Sequence, residues 1–522
     1  MFENDQKYNR PIVSVLISTF NRSQSLHKAL VSVLKQSYEN LQVIVINDGG
    51  EDVRSLINSF NDSRLIYINR KENYGKAYSL NEALNKAEGK YIAYLDDDDM
   101  YYPSHIEVLV DALENQTDCR VAYTDLYKVY CKVFPDGSRQ VLSKVVEVSR
   151  DFDRFLMLNF NHVLHVSLMH RRDLIEKTGP YNEQLNILID WDMTRRLVFF
   201  SDFYHVHEVT GEYSQPMGEC DRISVKRRKD KNEYLKNLLK IRTTRPAKPW
   251  PKIDDLSIIF VTDKFDKLSG KTIGSIWHHT FYPYELLLPM SESDFGRLNT
   301  DMPNLIFVNT NPSSSHDRQV DTALERCEGE YIAIVPSGFP VKDIWIENPL
   351  YALINCVQDR QGFMPEEATE RLWAVVLKKD DLLFARRNFS DLSVLESLKA
   401  AGISLRHPDY EEFPFQFDNL YNQARSIESE GDWLQAAQMY EYIADRHQNV
   451  LWMNALAARA FYEAGQLSKA ECICHELNLR RPTVDTLLLE AKLKRQNEQF
   501  DSAIELLKSA ENILQGQELI WT

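Results

Sequence analysis

Four apolar runs, rich in β-branched and aromatic residues, punctuate the first hundred positions, and each leads into polar residues. Ile12–Ile17 leads into Ser18-Thr19-Phe20-Asn21-Arg22, and Val43–Ile46 into Asn47-Asp48-Gly49-Gly50. Leu65–Ile68 is followed by Asn73-Tyr74-Gly75-Lys76, and Tyr91–Leu95 discharges into Asp96-Asp97-Asp98-Asp99. Such short runs, largely without polar alternation, predict strands buried on both faces. Between them Leu26, Ala29, Leu30, Val33 and Leu34 recur at helical spacing, as do Leu80, Ala83, Leu84 and Ala87. Strands alternating with helices predict a largely parallel sheet covered by helices, with the polar ends of strands one, two and four along one edge. Ligands of open α/β sheets bind at that edge.

The aspartate run sharpens the expectation. Four adjacent carboxylates repel one another and persist only where water solvates them or a cation neutralises them. A solvated turn capping the helix that starts near Ser104 is the plain alternative. Placement directly after a buried strand favours a divalent-metal and phosphate site, because hard cations prefer carboxylate oxygen.

Taken in order, Ser18-Thr19-Phe20-Asn21, Gln36-Ser37-Tyr38, Asn47-Asp48-Gly49, Asn73-Tyr74-Gly75 and Gly89-Lys90-Tyr91-Ile92 before the aspartates resemble the family 2 glycosyltransferases, nucleotide-sugar enzymes of the GT-A fold, over residues 10 to 215. The resemblance implies an inverting enzyme with Mg2+ or Mn2+ on the donor diphosphate. It implies that Ser18, Phe20 and Asp48 hold the nucleotide base, that Asp97 contacts the ribose, and that Asp98, helped by Asp96, binds the metal. Lys76 or Arg22 would assist the phosphates, and a UDP-sugar is the implied donor. Further on, Ile189-Asp190-Trp191-Asp192 resembles the family's later acidic motif, which makes Asp190 the implied general base. The residue before it, ordinarily Glu, is here Ile189. A helix cap is the alternative role for Asp190, and Asp192 reads as structural. His162, His165, His170, His205 and His207 cluster nearby; hydrogen-bonded structural roles are the commoner outcome, and none is assigned to the site.

A polar stretch from Ser214 to Lys252 reads as a closing helix and a proline-rich linker. After it the first pattern returns: Leu256–Thr262 matches the first strand, Glu285–Leu288 the second, and Glu328-Gly329-Glu330-Tyr331-Ile332-Ala333 matches Glu88-Gly89-Lys90-Tyr91-Ile92-Ala93. Ser291 stands in place of Asp48, and Pro336-Ser337-Gly338-Phe339 in place of the aspartates, so this copy is expected to lack the metal and to be non-catalytic. From about residue 415 the texture becomes helical. Ala424, Ala458 and Ala491 stand 34 and 33 apart, as do Ala436, Ala470 and Ala503. Gly431 and Gly465 mark the turn, with Glu498 in that place in the third unit. The period resembles tetratricopeptide repeats, whose concave face binds peptide or protein. The fold class is therefore α/β with an all-α end: a GT-A catalytic domain at 1–250, a degenerate GT-A-like domain at 251–414 and a repeat domain at 415–522.

Composition trims the possibilities. At 522 residues the chain exceeds one core, and a formal net charge of -16 opposes a nucleic-acid or anionic-membrane partner. The basic run Lys226-Arg227-Arg228-Lys229 reads as a solvated helix face. Met1–Arg10 is polar and no apolar run reaches membrane-spanning length, so a soluble, cytoplasmic protein is expected. The seven cysteines contain no CxxC pair and read as reduced thiols. A transferase that carries its own peptide-binding repeats is similar to bacterial enzymes that glycosylate flagellin on Ser or Thr; extension of a surface polysaccharide or surface-layer glycan is the alternative. A non-catalytic scaffold is opposed by the intact aspartates. A sugar nucleotidyltransferase is opposed by the lack of a Gly-rich basic loop after the first strand.

Overall fold

The computed structural model describes residues 10–134, 139–146, 149–217, 231–298, 302, 304–311, 313–355, 360–369, 373–408, 416–447, 450, 452–480 and 482–518. The basic run at 226–229 and two cysteines, Cys220 and Cys356, lie outside the described residues.

All four apolar runs form strands. In chain order the N-terminal sheet comprises β1 (Val13–Thr19), β2 (Leu41–Asn47), β3 (Leu65–Asn69), β4 (Tyr91–Tyr94), β5 (Met100–Tyr101), β6 (Val121–Val133), β7 (Arg139–Val145), β8 (Leu168–Arg171) and β9 (Phe203–Pro216). Their spatial order is β3-β2-β1-β4-β8-β6-β9-β5, with β7 paired to β6. Strands β1 to β4 are mutually parallel, as the alternation with helices predicts. Beyond β4 the sheet is mixed, since β8 runs antiparallel to both β4 and β6. The helices Ser23–Leu34 and His105–Asn115 bury Leu26, Ala29, Leu30, Val33, Ile106, Leu109 and Val110 against this sheet.

Two compact units emerge, one made of Met1–Tyr234 with Phe417–Thr522, the other of Leu235–Gln416. The second unit repeats the start of the first. Its strands are β10 (Leu256–Val261), β11 (Glu285–Met290), β12 (Leu305–Asn309), β13 (Tyr331–Pro336), β14 (Gln361–Phe363), β15 (Val375–Lys378) and β16 (Ser404–Arg406), in the order β12-β11-β10-β13-β15-β14-β16. A shared hydrogen-bond device marks the duplication. In the first unit Gly89 N donates to Ser14 Oγ at 2.9 Å, and Ser14 Oγ and Glu88 N both reach Gln42 Oε1 at 2.6 and 2.9 Å. In the second, Gly329 N donates to Ser257 Oγ at 2.8 Å, while Ser257 Oγ and Glu328 N reach Glu285 Oε1. A Cβ on Gly89 would come within 2.6 Å of Ser14 N, and one on Gly329 within 2.5 Å of Ser257 N, so only glycine fits either strand entrance.

The two units diverge at the opposite edge. After β10, Gln319 closes on Thr262 with two hydrogen bonds, Thr262 N to Gln319 Oε1 at 3.0 Å and Gln319 Nε2 to Thr262 O at 2.7 Å. Ser337 Oγ lies 2.9 Å from Ser269 Oγ, and Gly338 N donates to Thr272 Oγ1 at 3.0 Å. Hydroxyls and amides, with Asp266 accepting from Ser269 N at 3.0 Å, therefore tie to one another where the first unit carries its aspartate run. The proline-rich segment also belongs to this unit, with Trp250 Nε1 donating to Pro246 O at 3.0 Å and the Arg245 guanidinium 5.6 Å from the Tyr284 ring centre.

The C-terminal region is all helix: Gln416–Ser429, Trp433–Arg446, Trp452–Glu463, Leu467–Arg480, Val484–Gln496 and Phe500–Glu518. The periodic alanines, Ala424, Ala436, Ala458, Ala470, Ala491 and Ala503, are all buried, which lets paired helices approach closely. Gly431, Gly465 and Glu498 occupy one equivalent turn, with φ of 87°, 77° and 59°. Glutamate in that left-handed conformation costs about 1–2 kcal/mol that glycine does not. Within the first unit this region rests against the sheet: the Arg150 guanidinium lies 4.5 Å from the Phe417 ring centre, and Ile513 packs on Tyr127, Val129 and Cys131. Among the described residues no helix is long and apolar enough to cross a membrane, and Cys327, Cys472 and Cys474 carry free thiols.

A buried carboxyl gives the second unit a pH signature. Glu347 is fully buried, accepts from Phe281 N at 2.8 Å and Tyr282 N at 3.1 Å, and burial pushes its pKa from 4.5 up to about 7. Its native form holds a proton that the unfolded chain releases between those values, so stability falls as pH rises across the window, by up to about 3 kcal/mol. Glu347→Gln keeps the acceptor and removes the charge. Thermal unfolding of this unit is expected to show a higher Tm at pH 8 and a flatter dependence between pH 5 and 8 in the variant; an unchanged pH slope contradicts the assignment.

Candidate active site

The edge at the ends of β1, β2 and β4 gathers the polar residues, and backbone turns aim them. Asn21, at φ 54°, turns the chain after β1 so that Arg22 faces the aspartates, and Asn21 Oδ1 accepts from Glu51 N at 2.8 Å. Gly49, at φ 77°, lies so close to the 72–73 backbone that a Cβ would come within 2.4 Å of it. The aspartates form a tight turn closed by Asp99 N to Asp96 O at 3.1 Å. Ser214, on β9, pins that turn by donating Oγ to Asp98 O at 2.6 Å and N to Asp99 Oδ1 at 2.8 Å.

Within this turn each aspartate has its own environment. Carboxylate oxygens of Asp96, Asp98 and Asp99 all lie within 4.8 Å of one another. Asp97 is buried and accepts from Thr19 Oγ1 at 2.8 Å and Arg22 Nη1 at 3.1 Å. Burial, and next the Asp98 charge, push its pKa up to about 7 against the pull of Arg22. Arg22 Nη1 also reaches Asp98 Oδ2 at 3.3 Å. Three hard oxygen donors at this spacing suit Mg2+ or Mn2+ and offer nothing to a soft ion.

Lys76 joins the aspartates to Asp190. Its Nζ lies 2.8 Å from Asp96 Oδ1 and 3.3 Å from Asp190 Oδ1. Burial alone would lower the ammonium's pKa, but the Asp190 and Asp96 carboxylates outweigh it and raise the pKa, so Lys76 stays charged. Asp190 sits in the first turn of the helix Ile189–Leu197, after Leu188 at φ 60°, so it is not the cap residue. Its side chain is 34% exposed and its contacts are long, with His165 Nδ1 at 3.5 Å. His165 in turn stacks on Tyr94 at 3.9 Å and bonds Tyr181 Oη at 2.8 Å, and burial lowers its pKa. Asp192 is buried and paired with Arg196 at 2.7 Å, a structural ion pair.

The predicted base-binding residues are placed differently. Phe20 is exposed and Ser18, at the end of β1, is half-buried. The Asp48 carboxylate accepts from Tyr74 N at 3.0 Å, Gly75 N at 2.7 Å and Arg70 Nη1 at 3.0 Å, which locks the turn into the helix Lys76–Lys86. Three of about four lone-pair directions are thereby used, and one is left for a ligand N–H. Sequence reasoning missed Thr19, Asp99, His165 and Ser214. Asp99 stood in the aspartate run, and His165 was among the unassigned histidines, whereas Ser214 comes from a strand more than a hundred residues away and had no local signal.

Residues 14–177 match the family model described as "Glycosyl transferase family 2". Over this stretch, which holds the aspartate run, the chain is similar to the family 2 glycosyltransferases. It is 31% identical over 211 residues to "Uncharacterized glycosyltransferase RP339" of Rickettsia prowazekii, covering 39% of this chain and 64% of that protein. It is 27% identical over 197 residues to "Uncharacterized glycosyltransferase MJ1057" of Methanocaldococcus jannaschii, covering 36% of this chain and 66% of that one. The chain thus spans somewhat under two thirds of the length of these relatives. Among solved structures it is similar to Staphylococcus aureus TarS 1-349 in complex with UDP, at 16% identity and TM-score 0.34, covering 44% of this chain and 64% of that one. It is also similar to the mannosyltransferase PcManGT from Pyrobaculum calidifontis in complex with GDP-Man and Mn2+, at 18% identity and TM-score 0.33, covering 45% and 64%.

The oxygen cluster makes a direct prediction. Asp98→Asn removes one charged donor while retaining the side-chain shape, so Mn2+ affinity read by electron paramagnetic resonance is expected to fall at least about 10-fold, with circular dichroism unchanged. Unaltered Mn2+ affinity contradicts the role given to Asp98.

Proposed function

We propose that this chain is a metal-dependent inverting glycosyltransferase that moves a sugar from a UDP-sugar to a Ser or Thr hydroxyl of a protein such as flagellin, acting in the cytoplasm. The observation that carries the reading is the convergence of Asp96, Asp98, Lys76 and Asp190 on one edge of the sheet. In this reading Ser18, Phe20 and the remaining acceptor direction of Asp48 hold the base, and Asp97, buried against Thr19, orients the ribose. Asp98 and Asp96 hold Mg2+ or Mn2+, which when bound offsets the charge that builds up on the departing diphosphate. Arg22 and Lys76 add positive charge beside the phosphates. The half-buried, loosely held Asp190 carboxylate takes the proton of the acceptor hydroxyl as that oxygen attacks the anomeric carbon opposite the diphosphate, which inverts its configuration.

The protein acceptor is inferred from the helical region. Its alanine periodicity closes three helix pairs in the manner of tetratricopeptide repeats, and it belongs to the same compact unit as the aspartate cluster. A dock there raises the effective concentration of the acceptor at the site. The second sheet, with Pro336-Ser337-Gly338-Phe339 in place of the aspartate run, contributes no chemistry in this reading.

Asp190→Asn tests the base. Steady-state kinetics with a UDP-sugar and a flagellin-type acceptor are expected to show kcat lower by about 10²–10⁴-fold with donor KM little changed, and a variant that retains kcat removes Asp190 from the mechanism. In the same assay kcat/KM for the intact acceptor protein is expected to exceed that for a short peptide carrying its target serine by about 10²-fold; equal values count against the dock.

A further inference from the structure

A second cluster, with different chemistry, lies on β9. His205 and His207 are two apart on this strand, which puts both rings on one face. A register shift falls just after His205: Thr124 faces Val206 while Asp125 faces Val209, so His207 lies in a bulge beside its paired neighbour. The two rings meet edge to face at 4.3 Å. Both point at one atom, since Asp151 Oδ1 lies 2.7 Å from His205 Nδ1 and 2.6 Å from His207 Nε2. The far nitrogen of His205, Nε2, lies 3.0 Å from Oδ1 of the buried Asp125, and the ring stacks on Tyr123 at 4.5 Å, nearly parallel at 4°. His205 is therefore fixed in rotation, one nitrogen held by a buried carboxylate and the other presented to Asp151 and His207.

This is how a protein orients a metal-ligating imidazole, with the second ring nitrogen donating to a carboxylate behind it. We propose that Asp151, His205 and His207 bind a divalent ion of the zinc class at a site separate from the aspartate cluster. Two imidazole nitrogens and one carboxylate oxygen suit Zn2+, Co2+ or Ni2+ and are a poor match for Mg2+, which prefers oxygen. In the ion's absence the Asp151 oxygen serves two rings at once; the ion takes the place of those protons and leaves one coordination position toward solvent, on the exposed side of His207. The site shares the sheet edge of Asp96: His205 pairs with Tyr123, Tyr123 with Leu168, and the adjacent Met169 with Ala93 of β4. Three strand spacings put it about 14 Å across the sheet from β4. Asp151 directly follows Arg150, whose guanidinium covers Phe417 of the helical region. An ion held here ties that segment to β9 beneath the helices.

The test uses the full chain without an affinity tag, stripped with a chelator, in the Asp98→Asn background so that the aspartate cluster does not compete. Calorimetric titration with Zn2+ alone is expected to show a site whose affinity falls about 100-fold or more on adding His207→Ala, an exposed position whose loss leaves circular dichroism unchanged; replacing Asp125 by Asn costs about 10–100-fold. Co2+ titrated into the parent is expected to give the visible absorption of a nitrogen-liganded ion, absent in the His207→Ala protein. Zn2+ affinity that is the same with and without His207, or a parent that binds no Zn2+, overturns the proposal.

Discussion

Repulsion among carboxylates is the constraint on which the first unit depends. Asp96, Asp97, Asp98, Asp99 and Asp190 converge at one sheet edge, with the cations Lys76 and Arg22 placed among them. The structure answers in three ways. Asp97 is buried and its pKa raised, Asp99 is engaged by the Ser214 N–H, and Lys76 is shared between Asp96 and Asp190. The oxygens of Asp96, Asp98 and Asp99 lie within 4.8 Å of one another, a set of hard donors that suits a divalent cation.

The second unit shows what happens when that constraint is released. It keeps the strand order and the Ser-Gly device at the strand entrance, features that serve the sheet itself. At the other edge it has no carboxylate run, and Gln319, Thr262, Ser269 and Ser337 satisfy one another instead. The half of the device that is about folding was retained while the half that is about charge was lost. Backbone geometry and site chemistry are thus separable in this fold.

Much of this architecture was legible in the residues because it rests on local signals. Apolar runs ending in polar turns gave β1 to β4 and their repetition as β10, β11 and β13, and the alanine period gave the paired helices down to the turn at Glu498. The aspartates, Lys76 and Asp190 could be read as candidates from motif order, and the structure brings them within ion-pair distance. What was not legible depends on long-range pairing. The mixed half of the sheet beyond β4, the pinning of the aspartate turn by Ser214, and the grip of His165 on Asp190 join positions tens to more than a hundred residues apart. Asp48 taught a further lesson: its residue type fitted a base contact, but three of its acceptor directions are spent on Arg70 and the 74–75 backbone.

The central claim is that the carboxylate edge carries out metal-dependent transfer with inversion. The most direct measurement is proton NMR of the product formed from an α-linked UDP-sugar, with chelator and then with Mn2+ restored. The account predicts no transfer under chelation, recovery with Mn2+, and a product linkage of β configuration. An α-linked product, or transfer undiminished by chelation, would contradict it.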